Sequence, residues 1–157
     1  MRADVQLPGA RTIVNIIDLD LGSDHVATFV PLRILVAEDN ALIGMLLEEM
    51  LTTMGHAVCA VEATEAGTIA SALRYRPDLL IADGALREGN GINAVETILR
   101  SYLMAHIFVT GDHTSIRLRM PDAVILEKPF NEASLEIAIR KVLQAANATE
   151  KKKNVLS

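Results

Sequence analysis

"ILVAEDNALI", residues 34–43, decides how the rest of the chain is read. Four apolar residues suited to a buried strand run straight into two adjacent carboxylates, Glu38 and Asp39. Two like charges at the end of a hydrophobic strand are tolerable if water solvates them or if a cation sits beside them. The pattern then changes period. Ile43, Leu46, Leu47, Met50, Leu51 and Met54 recur at helical spacing, and Gly55 stops the run. A strand that ends in acids and feeds a helix is a unit, and its meaning depends on whether the unit repeats.

It repeats. "HAVCAVEA" (56–63) alternates loosely like a second strand. Thr64 to Arg76 follows as a helix, with Ala66, Ile69, Ala70 and Leu73 as the expected inner face and Pro77 as its end. "DLLIAD" (78–83) reads as a third strand, followed by the loop "GALREGNG" and a helix stripe of Ile92, Val95, Leu99 and Tyr102. "AHIFVTG" (105–111) is a fourth strand and "AVILEKP" (123–129) a fifth. Between them "DHTSIRLRMPD" is poorly patterned, because Thr114, Ser115 and Pro121 serve a helix badly. Asn131 caps a last helix whose Leu135, Ala138, Ile139, Val142 and Leu143 face inward. Strand–helix repeated five times predicts an α/β fold, a parallel sheet with helices on both faces joined by right-handed crossovers. Strands that are apolar without alternation agree, since such a sheet is buried on both sides.

The predicted domain spans residues 33–147. Residues 1–32, including "TIVNIIDLDLG" (12–22), are read as a flexible N-terminal extension, and residues 148–157 as a basic C-terminal tail. "DLDLG" has paired aspartates but lacks the threonine that a haloacid-dehalogenase phosphatase motif requires. The chain has 157 residues and a net charge of −5, so no basic excess exists to meet nucleic-acid phosphates. Cys59 is the only cysteine, which excludes an intrachain disulfide, and no His/Cys spacing suits zinc. No apolar run approaches a membrane span, and Asp18 and Asp20 interrupt the best candidate for a signal peptide. The expected compartment is the cytoplasm.

In open parallel sheets, ligands sit beyond the carboxyl ends of the strands. The first strand delivers Glu38 and Asp39 there, the third Asp83, the fourth Thr110, and the fifth Lys128. Three clustered carboxylates repel unless a cation joins them, and hard oxygen ligands in a partly hydrated site suit Mg²⁺. A phosphoryl group bound there would set its oxygens against the metal, the Thr110 hydroxyl and the Lys128 ammonium.

With "LVAEDN", "LLIADGALREGNG", "FVTG" and "LEKPF" in register on successive strand ends, the chain closely resembles the receiver domain of two-component response regulators, of the chemotaxis-regulator type. Asp39 and Asp83 are 44 residues apart, and Gly91 lies 8 residues beyond Asp83, as in that family. The resemblance implies a flavodoxin-like, doubly wound sheet of order 2-1-3-4-5. It implies that Asp83 is the phosphoacceptor, that Asp39 binds Mg²⁺ directly, and that Glu38 reaches the metal through water. The Ala85 backbone carbonyl completes the metal site, Thr110 and Lys128 grip the phosphoryl oxygens, and the Lys128–Pro129 bond is cis. The partners implied are a sensor histidine kinase or histidine phosphotransferase and an effector protein of unknown identity, with no direct contact to nucleic acid or membrane, in a monomer or weak dimer. Such a protein is no conventional enzyme, although it catalyses its own phosphorylation and dephosphorylation.

The chain departs from the family in three places. Arg87 replaces a usual proline, which suggests a looser loop. Ile125 replaces a usual aromatic. Thr110 and Lys128 are only 18 residues apart, so the fourth helix should be short or mobile. The expectation is a stand-alone receiver that signals through a changed surface, the fourth helix, fifth strand and fifth helix. The alternatives are a phosphorelay intermediate, a phosphate sink, and an unphosphorylated protein-binding pseudo-receiver.

Overall fold

The structure, a computed structural model, describes residues 30–156. The segment 12–22 lies outside the described residues. Five strands alternate with five helices: β1 (Arg33–Ala37), α1 (Ala41–Thr53), β2 (Ala57–Glu62), α2 (Glu65–Tyr75), β3 (Leu79–Asp83), α3 (Gly91–Ser101), β4 (Ala105–Thr110), α4 (Thr114–Arg119), β5 (Val124–Glu127) and α5 (Glu132–Val155). All strand pairs are parallel, and the order is β2-β1-β3-β4-β5. This is the flavodoxin-like order. The strand order reverses between β1 and β3, so the crevice for a ligand opens at their carboxyl ends.

Side-chain caps explain where most helices begin. Asn40 accepts the amides of Leu42 and Ile43, Thr64 accepts that of Gly67, and Asn90 accepts that of Asn93. Asn131 and Ser134 form a reciprocal capping box at the start of α5. The element before β5 lacks this support. His113 gives α4 no side-chain cap, and the helix runs only six residues. The short fourth helix follows from its sequence, in which the N-cap residue offers no side-chain acceptor to the helix and only Ile116 is buried.

The sheet separates two cores. One lies under α1 and α5, where Leu47, Leu51, Leu135 and Ile139 meet Val36, Ile81 and Val109. The other lies under α2, α3 and α4, where Ala72, Val95, Ile98 and Ile116 surround Leu35, Leu80 and Phe108. Leu32, one residue before the expected start of the domain, is buried in the first core. The inner face of α2 differs from the sequence expectation. Thr68, Ser71 and Ala72 are buried, whereas Ala66, Ala70 and Leu73 are exposed. The hydroxyls can be buried because they are satisfied: Thr68 donates to the Thr64 carbonyl and Ser71 to the Glu62 carboxylate. Apolar periodicity misses such a face. The residues read as a tail also take a definite form, since α5 continues through residues 148–155 as exposed helical turns.

Two histidines are built into this frame in their neutral form. Burial lowers the pKa of His106, although its contact with the Met104 carbonyl acts in the opposite direction. Burial also lowers that of His56, whose Nδ1 accepts the Leu32 amide. The unfolded chain therefore binds these protons more readily than the folded one, and stability rises with pH through this window. The contribution is complete above the unfolded value of about 6.5 and is lost as the pH falls below it. Urea unfolding from pH 7 to 5 should show decreasing stability, and a His56→Asn/His106→Leu double variant should show a flatter profile.

Candidate functional site

Strand register brings the polar residues together. Ala37 pairs with Ala82 on one side and with Glu62 on the other, and Asp83 pairs with Val109. Glu38, one step past β1, is held in line by its amide, which donates to the Glu62 carbonyl at 2.8 Å. Thr110 pairs with Glu127, and the next amide, Lys128, donates to the Thr110 carbonyl at 3.0 Å. All these side chains leave the same edge of the sheet.

There the Lys128 ammonium lies 2.6 Å from Asp83 Oδ2 and 3.3 Å from Glu38 Oε2. The Glu38 side chain is 1% exposed and that of Asp83 is 10%, so Asp83 is the more accessible carboxylate. Each acid also accepts a backbone amide two residues on: Asn40 for Glu38 and Ala85 for Asp83, both at 3.0 Å. Burial raises the pKa of Glu38 and the neighbouring Asp83 charge adds to this, while the Asn40 amide and Lys128 oppose it. Burial alone would lower that of Lys128, yet its contacts with Asp83 and Glu38 raise it, so the ammonium stays charged. The Lys128–Pro129 peptide bond is cis.

One oxygen from each of Glu38, Asp39 and Asp83 can be chosen so that all three lie within 4.8 Å of one another. That donor set is all carboxylate oxygen, with two members, Glu38 and Asp83, buried and like charges facing each other. It fits a hard divalent cation, which would offset the repulsion that a single lysine meets only in part. Ala85 follows directly, exposed, with its amide already turned to Asp83. Thr110 is near but otherwise engaged. Its hydroxyl donates to the Asp112 carbonyl at 2.9 Å and accepts the Asp112 amide at 3.1 Å.

The helix after Asp83 approaches its backbone closely. A Cβ on Gly91 would collide with the Asp83 carbonyl, so only glycine allows α3 to start there. The loop between them gains a backbone bond where Arg87 stands in place of the usual proline. The Arg87 amide donates to the Ala63 carbonyl at 3.2 Å, a bond that proline could not make. Sequence reading also missed Glu65, whose carboxylate accepts the Asn90 amide at 3.0 Å. Its position at the start of α2 made it look like an ordinary first-turn acid. Arg117 and Arg119 form internal links. Arg117 donates to the Pro121 and Ala123 carbonyls, and Arg119 donates to Glu96 and Asn93.

The family model for the response regulator receiver domain matches residues 34–140, and the chain belongs to that family. It is 34% identical over 145 residues to the phyllosphere-induced regulator PhyR of Methylorubrum extorquens, covering 89% of this chain and 52% of that protein. The crystal structure of the response regulator PhyR from Brucella abortus superposes with a TM-score of 0.70 at 28% identity, covering 82% of this chain and 54% of that one. The anti-anti-sigma factor PhyR from Bartonella quintana gives a TM-score of 0.68 at 26% identity, covering 80% and 52%. The chain thus spans about half the length of the PhyR proteins it matches. Among the described residues, no helix is long and apolar enough to cross a membrane.

Lys128→Met would leave two buried carboxylates without their cation. The expected cost is about 3 kcal/mol, the low end for breaking a buried pair. It would be read as a lower urea midpoint at unchanged slope. An unchanged midpoint would show that water alone satisfies Glu38 and Asp83.

Proposed function

We propose that this receiver takes a phosphoryl group from a phosphohistidine onto Asp83 in a Mg²⁺-dependent reaction in the cytoplasm, and signals by binding another protein. The observation that carries the reading is Lys128 held between Glu38 and Asp83 with Asp39 alongside. Glu38, Asp39, Asp83 and the Ala85 carbonyl would hold the metal. When bound, the ion offsets negative charge on the acids and on the incoming phosphoryl oxygens. An Asp83 carboxylate oxygen attacks phosphorus, the P–N bond to the donor imidazole breaks, and its electron pair stays on nitrogen. Lys128 moves from the carboxylate to a phosphoryl oxygen, and Thr110 exchanges the Asp112 carbonyl for another.

That exchange suggests a route to the surface. Asp112 Oδ1 accepts the Thr114 amide at the start of α4, so turning Thr110 loosens the support of that helix. Phosphorylation replaces the single carboxylate charge of Asp83 with a phosphoryl group of about −1.5 to −2 charge units at the other end of this chain of bonds. Leu118 on α4 is 81% exposed, available to an effector. The donor, a histidine kinase or histidine phosphotransferase, has its own surface. Leu42, Met45 and Leu46 are exposed on α1, which begins two residues after Asp39. The likeness to an anti-anti-sigma factor makes an anti-sigma factor the first effector to test. A second reading, a phosphate sink, draws support from access: Ala85 is exposed, and a Cβ on Gly111 would meet nothing within 4 Å. Hydrolytic water then has a clear approach.

The native protein should accept label from a phosphorylated kinase only with Mg²⁺, and Asp83→Asn should accept none; labelling of that variant at the native rate would overturn the assignment. Mg²⁺ at 100 times its dissociation constant should raise stability by about 2.7 kcal/mol, and Asp39→Asn should abolish the gain. A pull-down with and without beryllofluoride separates the two readings. A partner captured only with the mimic supports the switch.

A further inference from the structure

The loop that leaves Asp83 is closed on itself. The Gly91 amide donates to the Gly84 carbonyl at 3.1 Å, and Ala85 and Asn90 form an isolated antiparallel bridge. The closed loop is then fastened to the neighbouring β2–α2 connection by three bonds. The Arg87 amide donates to the Ala63 carbonyl at 3.2 Å, the Glu65 amide to the Glu88 carbonyl at 2.9 Å, and the Asn90 amide to Glu65 Oε2 at 3.0 Å. The last bond has a particular place. Asn90 is the N-cap of α3, and the amide of an N-cap is ordinarily met by the side chain three residues on. Here that residue is Asn93, and its Oδ1 accepts from Arg119 instead. Glu65 supplies the missing acceptor from a different helix. Gly89 makes room for it: its φ is +81°, and a Cβ there would overlap the Glu65 carboxylate.

The loop's near end reaches the site, because the Ala85 amide fixes Asp83 Oδ1. We infer that Glu65 is a positioning residue: by clamping the 84–90 loop, it sets the Ala85 amide and carbonyl, and through them the orientation of Asp83. This rests on the reading of Asp83, Asp39 and Ala85 as the metal and phosphoryl site. Groups that orient metal ligands commonly control metal affinity by an order of magnitude or more when removed. A carboxylate on α2 would thereby tune the chemistry of a residue to which it makes no direct bond.

The test compares Glu65→Ala, Glu65→Gln and Arg87→Pro with the native chain, using Mg²⁺ alone in titration calorimetry and phosphoramidate as the small phosphodonor. Amide exchange at Ala85 and Asn90 is measured in parallel. Glu65→Ala should weaken Mg²⁺ binding about tenfold, slow phosphoryl uptake at fixed Mg²⁺, and speed exchange at both amides. Glu65→Gln keeps the acceptor oxygen and should behave like the native protein. Arg87→Pro removes one tether and should shift all three readouts in the same direction by less. If Glu65→Ala does not fold, Arg87→Pro decides alone. Native Mg²⁺ affinity and native exchange in the alanine variant, with the native chain binding Mg²⁺ and Asp83→Asn inactive, overturn the clamp and leave the receiver reading standing. Failure of the native chain to bind Mg²⁺ overturns both.

Discussion

The structure depends on one unfavourable arrangement made tolerable: Glu38 and Asp83, both buried, sharing the Lys128 ammonium. Bringing two carboxylates out of water beside each other is costly, and a single monovalent partner offsets only part of that cost. The fold secures the arrangement from outside the site. Strand register sets Glu38 beside Asp83, amides from Asn40 and Ala85 brace each acid, and the β4–β5 pairing delivers Lys128 from the far side. The two apolar cores are what hold three strand ends close enough for this to happen. Charge that is concentrated and incompletely matched suits a divalent ion.

Much of this was legible in the sequence. "RILVA", "DLLIAD" and "AHIFVTG" read as strands because a sheet covered on both faces demands apolar runs; β1 matches the first, and β3 and β4 are each one residue shorter than read. The positions of the polar residues were legible for the same reason, since each stands directly after such a run. The connection between Thr110 and Lys128 read as a poor helix and is one of six residues. What stayed hidden is what depends on partners distant in sequence. Thr68 and Ser71 are buried through hydroxyl bonds that no apolar pattern reveals. Arg87 suggested a looser loop because the lost proline was visible, whereas the gained amide bond to Ala63 was not. Glu65 acts 25 residues away from Asn90 and had no local signal.

Belonging to the receiver family and resembling PhyR proteins over about half their length place the chain among signalling proteins without naming what reads it. The surfaces available for that purpose are physically distinct. Exposed Leu42, Met45 and Leu46 stand next to the acids, while exposed Leu118 stands on the least supported helix. On the proposed function, a phosphodonor would use the first, which lies nearer the acids. A reader of the phosphorylated state needs an element that can change, and α4 is tied to Thr110 through only a few bonds.

The length of α5 has a mechanical consequence. At 24 residues it extends about 36 Å, whereas the strands beneath it have four to six residues. Its buried positions stop at Val142, so the final turns overhang the sheet as a cantilever. A small tilt where α5 packs on β4 and β5 becomes a larger sweep at Lys151–Lys153, and whatever rests on that arm is carried through the greater arc.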